Sequence, residues 1–172
     1  GNMSYPPNIT SVLYIADEIL PRIQEKIPSV RFLISGASPS YSIRRLGNSE
    51  NIEVTGWVED IRYSDNRSKL FLAPIVSGAG MQNKLLEAMS MEMVCITSQL
   101  ANNAIGATHE EHLIVCKSAE EYVEQLYELI ENYDKRCKMA QKARRFATDN
   151  FSWNRHIDLL NKVLKKGQKL ND

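Results

Sequence analysis

Apolar residues in the first part of the chain recur at spacings of three and four. From residue 8 to residue 25 this pattern predicts one helix face turned to a core, formed by Ile9, Val12, Leu13, Ala16, Ile19, Leu20 and Ile23. Asn8 is a candidate N-terminal cap of this helix. Pro21 is expected to bend the helix, because proline lacks a backbone N–H.

Short, continuous apolar runs follow the first helix, and each of them predicts a buried strand. The runs are residues 30–36, 51–56, 69–74, 93–98 and 112–116. Ser118 and Glu121 have the spacing of a capping box, so a helix should begin after Ser118. Two further amphipathic helices are predicted, one with Met139, Ala140, Ala143 and Phe146, the other capped by Ser152 with Trp153, Ile157, Leu160 and Val163.

Buried strands that alternate with helices are typical of a parallel sheet covered on both faces. We therefore predict an α/β fold with a Rossmann-like, doubly wound parallel sheet, in one domain over residues 1–172. No strand precedes the first helix, so we expect a fragment without its first strand. In a 3-2-1-4-5-6 sheet this strand would be central. The gap is expected to be closed by a relaxed sheet or by a neighbouring chain, as in a dimer.

Composition argues against several classes of partner. Lysine plus arginine and aspartate plus glutamate number 21 each, so no net field favours nucleic acid or an anionic membrane surface. No apolar stretch reaches the roughly 18 residues of a membrane span. We expect a cytoplasmic protein, peripheral to the inner membrane face at most through a missing domain.

Cys95, Cys116 and Cys137 lack metal-ligand spacing, and two of them lie in apolar runs that are typical of buried thiols.

The stretch GAGMQNKLLEAM, residues 78–89, carries the candidate chemistry. It follows a predicted strand, so its loop should lie at the carboxyl edge of the sheet, where open parallel sheets bind ligands. A helix that begins near Met81 would direct unpaired N–H groups and its positive dipole end at an anion. Lys84 would add a positive charge, and Glu87 on the same helix side would suit the vicinal hydroxyls of a ribose. The alternative is a glycine corner followed by a solvated Lys–Glu pair.

The motif is neither a P-loop nor a dinucleotide-binding fingerprint, so neither an ATPase nor a dehydrogenase is indicated. The pattern G-x-x-N-K-L-L-E-A-M instead resembles the C-terminal, donor-binding domain of GT-B retaining glycosyltransferases of family 4, or glycosyl transferases group 1. The stretches GNMSYPPN, EILPRIQEKIPSVRFLISGASP, VTGWVEDIR and FSWNRHIDLLNKVL extend the resemblance over nearly the whole chain.

This resemblance implies transfer of a sugar from a nucleotide diphosphate sugar, with retention of anomeric configuration. It places the donor diphosphate at the start of the motif helix, with Lys84 neutralising its charge and Glu87 holding the ribose. The donor-binding set also includes Gly78, Ala79, Gly80, Met81 and Asn83. The turn formed by Gly56, Trp57 and Val58 would lie near the nucleobase. Packing at a strand end is an equal alternative for Trp57, and Trp153 is expected to pack the last helix.

The chain departs from the family pattern in several places. Many members carry two glutamates separated by seven residues, and this chain has Ala79 at the first position, so a contact to a donor-sugar hydroxyl must come from backbone or from another residue. The first loop, GNMSYPPN, has no basic side chain, and Asn2 or Asn8 could only donate neutral hydrogen bonds. Glu92 and Val94 replace a glycine and a proline that are usual after the helix. No Asp-x-Asp motif is present, and we expect no metal and no cofactor besides the donor substrate.

The resemblance also implies a partner, an N-terminal acceptor-binding domain that is absent from residues 1–172. Transfer requires both substrates to be held together. The chain alone is therefore expected to bind donor weakly and to transfer nothing measurable to a saccharide, lipid-linked or other acceptor. Two alternatives stay open, a non-catalytic nucleotide-sugar-binding or scaffold module and a GT-B-like epimerase.

Overall fold

The computed structural model describes residues 1–78, 80–153, 155, 157 and 160–162, without the side chains of residues 63, 65 and 66. Five strands lie within these residues: β1 (Phe32–Ser35), β2 (Ile52–Gly56), β3 (Leu70–Ala73), β4 (Val94–Ser98) and β5 (Ile114–Cys116). The helices are α1 (Pro6–Tyr14), α2 (Leu20–Lys26), α3 (Tyr41–Leu46), α4 (Ile61–Asn66), α5 (Asn83–Ser90), α6 (Gln99–Asn103), α7 (Ala119–Glu131) and α8 (Tyr133–Phe151). All the predicted strands are confirmed.

The first helix is interrupted by a π-helical turn, Ile15–Ile19, which joins α1 to α2. The turn ends two residues before Pro21, and its wider backbone accommodates a residue that would clash with an α-helical carbonyl. It also shifts the buried face, because Ile15 is buried while Leu13 is only half-buried. The cap prediction was wrong, since Tyr5 occupies the N-cap position and Pro6 begins the helix.

The strands form two parallel sheets. β1 pairs with β2, and β3, β4 and β5 pair in that order. This is the predicted doubly wound order, with no strand of the described residues at the central position. The expected closure by a relaxed sheet is wrong, because β1 and β3 do not pair. Asn2 instead forms a parallel bridge with Ala37, just beyond the end of β1.

Two hydrophobic clusters cover the strands. The first joins α1, α2 and α7 to both sheets and includes Ile34, Val94 and Ile96. The second packs α5, α6 and α8 on the other side of β4, where it includes Cys95. Alternate residues of β4 therefore lie in different clusters, as expected for a strand covered on both faces.

The last helices begin at side-chain caps. The Ser118 hydroxyl accepts a hydrogen bond from the Glu121 N–H at 3.3 Å, which confirms the predicted start of α7. In α8, Met139, Ala140 and Ala143 are buried, as the pattern predicted. Beyond α8 the described residues 153, 155, 157 and 160–162 have helical backbone.

The final apolar residues do not pack as predicted. Trp153 is 84% exposed, so its assignment as a packing residue was wrong, and Ile157 and Leu160 are also exposed. Val163 lies outside the described residues. In the part of the chain that the structure covers, no helix combines the length and the apolar character needed to cross a membrane.

Two of the three cysteines are buried, as predicted. They are Cys95 in β4 and Cys116 at the end of β5. Burial, assisted by the nearby Glu121 carboxylate, raises the pKa of the Cys116 thiol to about 12. Cys137 on α8 is partly exposed, and none of the three cysteines forms a disulfide.

Candidate functional site

The loop between β3 and α5 lies at the carboxyl edge of the sheet and is fastened there by hydroxyl groups. The Thr97 hydroxyl donates to the Ala73 carbonyl at 2.7 Å, and the Ser98 hydroxyl donates to the Ile75 carbonyl. From α1, the Ser11 hydroxyl donates to the Pro74 carbonyl at 3.1 Å. Sequence reasoning missed these side chains, although two polar residues at the end of an apolar strand are a detectable signal.

Both described glycines of the motif adopt conformations that favour glycine. Gly78 has φ 107° and Gly80 has φ 88°, and both residues are exposed. A Cβ on Gly78 would lie 3.5 Å from Cγ of Pro7 and 3.6 Å from the Tyr5 hydroxyl. The motif loop therefore runs against the start of α1. Ala79 lies outside the described residues.

The motif helix begins two residues later than predicted. α5 starts at Asn83, and Gln82 occupies the N-cap position with φ −91° and ψ 81°. Met81, which was expected at the helix start, lies in the loop and is 46% exposed. The physical reason is that Gly80 and Gln82 both have non-helical backbone, so the chain enters the helix only after them.

The N-terminus of α5, like those of α1 and α2, has no side-chain cap. Helices α3, α6, α7 and α8 are capped by side-chain oxygens of Ser40, Ser98, Ser118 and Asn132. A cap satisfies one of the unpaired N–H groups of a first helical turn. At α5 no side chain competes with a ligand for these groups and for the positive end of the dipole.

Lys84 lies in the first turn of α5 and is only partly exposed. Its Nζ donates a hydrogen bond to Oδ1 of Asn8 at 2.5 Å. Desolvation by burial lowers the pKa of the ammonium group. The alternative of a solvated Lys–Glu surface pair does not describe this geometry, because the partner of Lys84 is Asn8.

Asn8 is held from its other end. Its Nδ2 donates to the carbonyl of Asn2 at 2.8 Å, so both ends of the amide are engaged. One N–H of the Asn8 amide is therefore used within the chain. Reasoning from the sequence missed its contact with Lys84, because 76 residues separate the two and no spacing rule connects them.

Asn83 and Glu87 are exposed on α5, four residues apart and therefore on the same side of the helix. Within the described residues, the ion pairs do not include Glu87. Its carboxylate is thus exposed beside the uncapped helix start. This arrangement can accept hydrogen bonds from a polyol.

The turn after β2 lies at the same carboxyl edge, in the other sheet. Gly56 has φ 70°, and its carbonyl accepts a hydrogen bond from the Gly36 N–H at 3.0 Å. Trp57 is 71% exposed, so the alternative of packing at a strand end is wrong. Val58 is half-buried. An exposed indole beside a glycine turn is available for stacking on a planar ligand.

The described residues contain no group of three or more His, Cys, Asp or Glu side chains that could hold a metal ion. Lys84 places a positive charge in the first turn of α5, beside the positive end of the helix dipole.

Comparison with known proteins identifies the family. The family model described as "Glycosyl transferases group 1" matches residues 1–132. A Klebsiella pneumoniae protein named "Uncharacterized 44.6 kDa protein in cps region" is 20% identical over 159 residues, or 88% of this chain and 41% of the relative. The Xenopus tropicalis "Glycosyltransferase 1 domain-containing protein 1" is 25% identical over 82% of this chain and 42% of its own length. The chain thus spans about two-fifths of the curated relatives that it matches.

Solved structures share the fold. The C-terminal domain of the Francisella tularensis glycosyl transferase group 1 family protein LpcC superposes with a TM-score of 0.65 at 19% identity, over 81% of this chain and 78% of that domain. Anabaena HepE, solved with UDP and glucose, gives a TM-score of 0.72 at 16% identity, over 89% of this chain and 45% of HepE. The architecture is that of the C-terminal, Rossmann-like half of a GT-B fold. With the family model matched over residues 1–132, the chain belongs to the glycosyl transferases group 1.

Proposed function

We propose that this chain is the donor-binding domain of a retaining glycosyltransferase and that it binds a nucleotide diphosphate sugar at the start of α5. The observation that carries the proposal is an uncapped helix N-terminus, preceded by a glycine loop and combined with a partly buried lysine in its first turn. Membership of the family supports the proposal. Two structures of similar fold, Anabaena HepE and pneumococcal GtfA, were solved in complex with UDP, which also supports it.

The diphosphate would occupy the space in front of α5. Backbone N–H groups of the loop that contains Gly78, Ala79, Gly80 and Met81 and of the first turn at Asn83 would bind its oxygens. Lys84 would supply a full positive charge. As the bond to the sugar breaks, negative charge develops on the nucleoside diphosphate, and these fixed donors would stabilise it without reorganising.

Glu87 would bind the ribose, and the turn after β2 would bind the base. The exposed carboxylate of Glu87 can accept two hydrogen bonds from vicinal hydroxyls. Gly56 and Val58 would line the base, and the exposed Trp57 side chain would stack on it. Backbone and dipole carry most of the anion binding in this arrangement, which is consistent with a metal-independent reaction.

Transfer itself would require a second domain. The curated relatives are more than twice as long as the segment that this chain matches. An N-terminal domain would bind the acceptor and hold it against the donor sugar. We therefore expect residues 1–172 alone to bind donor weakly and to transfer no sugar.

A thermal-shift titration with UDP, GDP and ADP tests the proposal. A ligand at 100 times its Kd stabilises the folded state by about 2.7 kcal/mol, which corresponds to a rise in Tm of roughly 5–10 °C for a chain of this size. Lys84→Ala and Glu87→Ala should each reduce the rise. The matched controls, Lys138→Ala and Glu124→Ala, alter exposed residues of α8 and α7 and should leave it unchanged. No rise with any of the three nucleotides at millimolar concentration would contradict the proposal.

A further inference from the structure

The hydrogen bond between Asn8 and Lys84 joins two parts of the candidate site that are distant in sequence. Asn8 lies in α1 and Lys84 in the first turn of α5, and their side chains meet at 2.5 Å. The same two segments approach each other at Gly78, whose Cβ position is 3.5 Å from Cγ of Pro7. The contact is therefore part of a wider junction between the start of α1 and the motif loop.

The orientation of the Asn8 amide is determined by its second partner. Its Nδ2 donates to the Asn2 carbonyl at 2.8 Å, which leaves Oδ1 as the atom that faces Lys84. Asn2 is itself held by a parallel bridge to Ala37 and by a hydrogen bond from the Ser4 N–H to its Oδ1 at 3.0 Å. A chain of hydrogen bonds thus runs from the end of β1 through Asn2 and Asn8 to the ammonium group.

A neutral partner has a particular consequence for a lysine that binds an anion. The ammonium group has three N–H donors, and the bond to Asn8 uses one of them. A carboxylate at position 8 would also hold the lysine, but it would neutralise its charge and repel a diphosphate. The amide restricts the flexible side chain while it leaves the charge uncompensated, which lowers the ordering cost of binding.

We propose that Asn8 is a positioning residue, which holds the Lys84 ammonium group at the start of α5 with its charge available to the diphosphate of the donor. This inference rests on the proposed function and adds to it a residue from outside the motif. The first loop, residues 1–8, has no basic side chain of its own. Through Asn8, α1 would nevertheless contribute to phosphate binding, because Asn8 positions the lysine of α5.

A double-mutant cycle with nucleoside diphosphates tests the inference. Kd is measured by calorimetry for UDP, GDP and ADP with the unmodified chain, Asn8→Ala, Lys84→Met and the double variant. Without this contact, binding must order the Lys84 side chain, so Asn8→Ala should bind nucleotide about 3–10-fold more weakly. In the Lys84→Met background, Asn8→Ala should change Kd less than about twofold, because the group that it positions is gone.

Asn8→Asp separates positioning from structural support. Aspartate is nearly isosteric and can still accept the lysine hydrogen bond, but like alanine it cannot donate to the Asn2 carbonyl, so its Tm should be no lower than that of Asn8→Ala. Nucleotide binding should nevertheless fall more than about 10-fold, because the pair is neutralised and the added carboxylate repels phosphate. NMR titration of Lys84 should show a higher ammonium pKa in Asn8→Asp, which gives a readout without nucleotide even if Asn8→Ala does not fold.

The outcomes distinguish the two proposals. Equal losses from Asn8→Ala in both backgrounds, or unchanged nucleotide binding by Asn8→Asp, would overturn the role of Asn8 and leave the donor site standing. If the unmodified chain bound no nucleoside diphosphate, or if Lys84→Met bound it equally well, the proposed function would be overturned, and the inference with it.

Discussion

Glu92 offers a quantitative test of how the motif helix ends. The Met93 N–H donates to the Ala88 carbonyl at 3.0 Å, and the Glu92 N–H donates to the Met89 carbonyl at 3.1 Å, which is the Schellman pattern. This pattern places Glu92 at the position that glycine normally occupies, and its φ is indeed 58°. The sequence departs here from the glycine usual in the family, yet the turn forms. We predict that Glu92→Gly stabilises the folded chain.

The size of the effect follows from three contributions. A residue with a Cβ in the left-handed region costs about 1–2 kcal/mol, which glycine removes. Glycine makes the unfolded chain more flexible, which costs about 0.4–1 kcal/mol. Glu92 also pairs with Arg144 at 3.1 Å, with side chains 48% and 54% exposed, and such a pair contributes about 0.2–1 kcal/mol. Glu92→Gly should therefore raise the free energy of unfolding by about 0.2 kcal/mol.

Comparison with alanine isolates the backbone contribution. Glu92→Ala loses the ion pair and keeps the strained φ, so Glu92→Gly should be about 1 kcal/mol more stable than Glu92→Ala. That difference corresponds to roughly 2–4 °C in Tm, measurable by thermal and urea denaturation. The matched control is exposed Glu124 in α7, where the glycine variant should be about 1 kcal/mol less stable than the alanine variant. If alanine is equal or superior to glycine at position 92, the reasoning is refuted.

Three further predictions concern packing and protonation. A Cβ on Gly36 would lie 1.9 Å from the Gly1 carbonyl oxygen, so Gly36→Ala should lower the free energy of unfolding by about 1–3 kcal/mol, and unchanged urea denaturation would contradict this. Because burial raises the pKa of Cys116 to about 12, a thiol reagent at pH 8 should modify the partly exposed Cys137 first and reach Cys116 only on unfolding, which peptide mapping would show. Burial lowers the pKa of Lys84 in the folded state, so the unfolded chain retains that proton to higher pH and stability should rise with pH between the folded and unfolded pKa values. Lys84→Met should remove this rise. If Tm depends on pH in the same way in the unmodified chain and in Lys84→Met, the prediction is contradicted.

Periodicity and composition were sufficient for most of the fold. The apolar runs located all five strands of the described residues, and their alternation with helices indicated parallel pairing. The capping box at Ser118 located the start of α7. These features depend on neighbours along the chain, so a single sequence contains the relevant information.

The errors involve contacts between distant segments or local backbone geometry. Asparagine is a common helix cap, but the Asn8 side chain forms hydrogen bonds with Asn2 and Lys84 instead. No rule based on neighbouring residues predicts these contacts. The start of α5 at Asn83 depends on the backbone angles of Gly80 and Gln82 rather than on residue preference. The separation of the two sheets is likewise a tertiary property, because it depends on which strand edges meet.

The central claim is that a nucleoside diphosphate binds in front of α5, and an amide NMR titration of the chain with UDP, GDP and ADP tests it most directly. The account predicts that at least one nucleotide shifts the amide signals of residues 78–85 together with those of Gly56 and Trp57. Lys84→Met should greatly reduce these shifts. Shifts confined to the junction of α7 and α8, or no shifts with any of the three nucleotides at millimolar concentration, would contradict it.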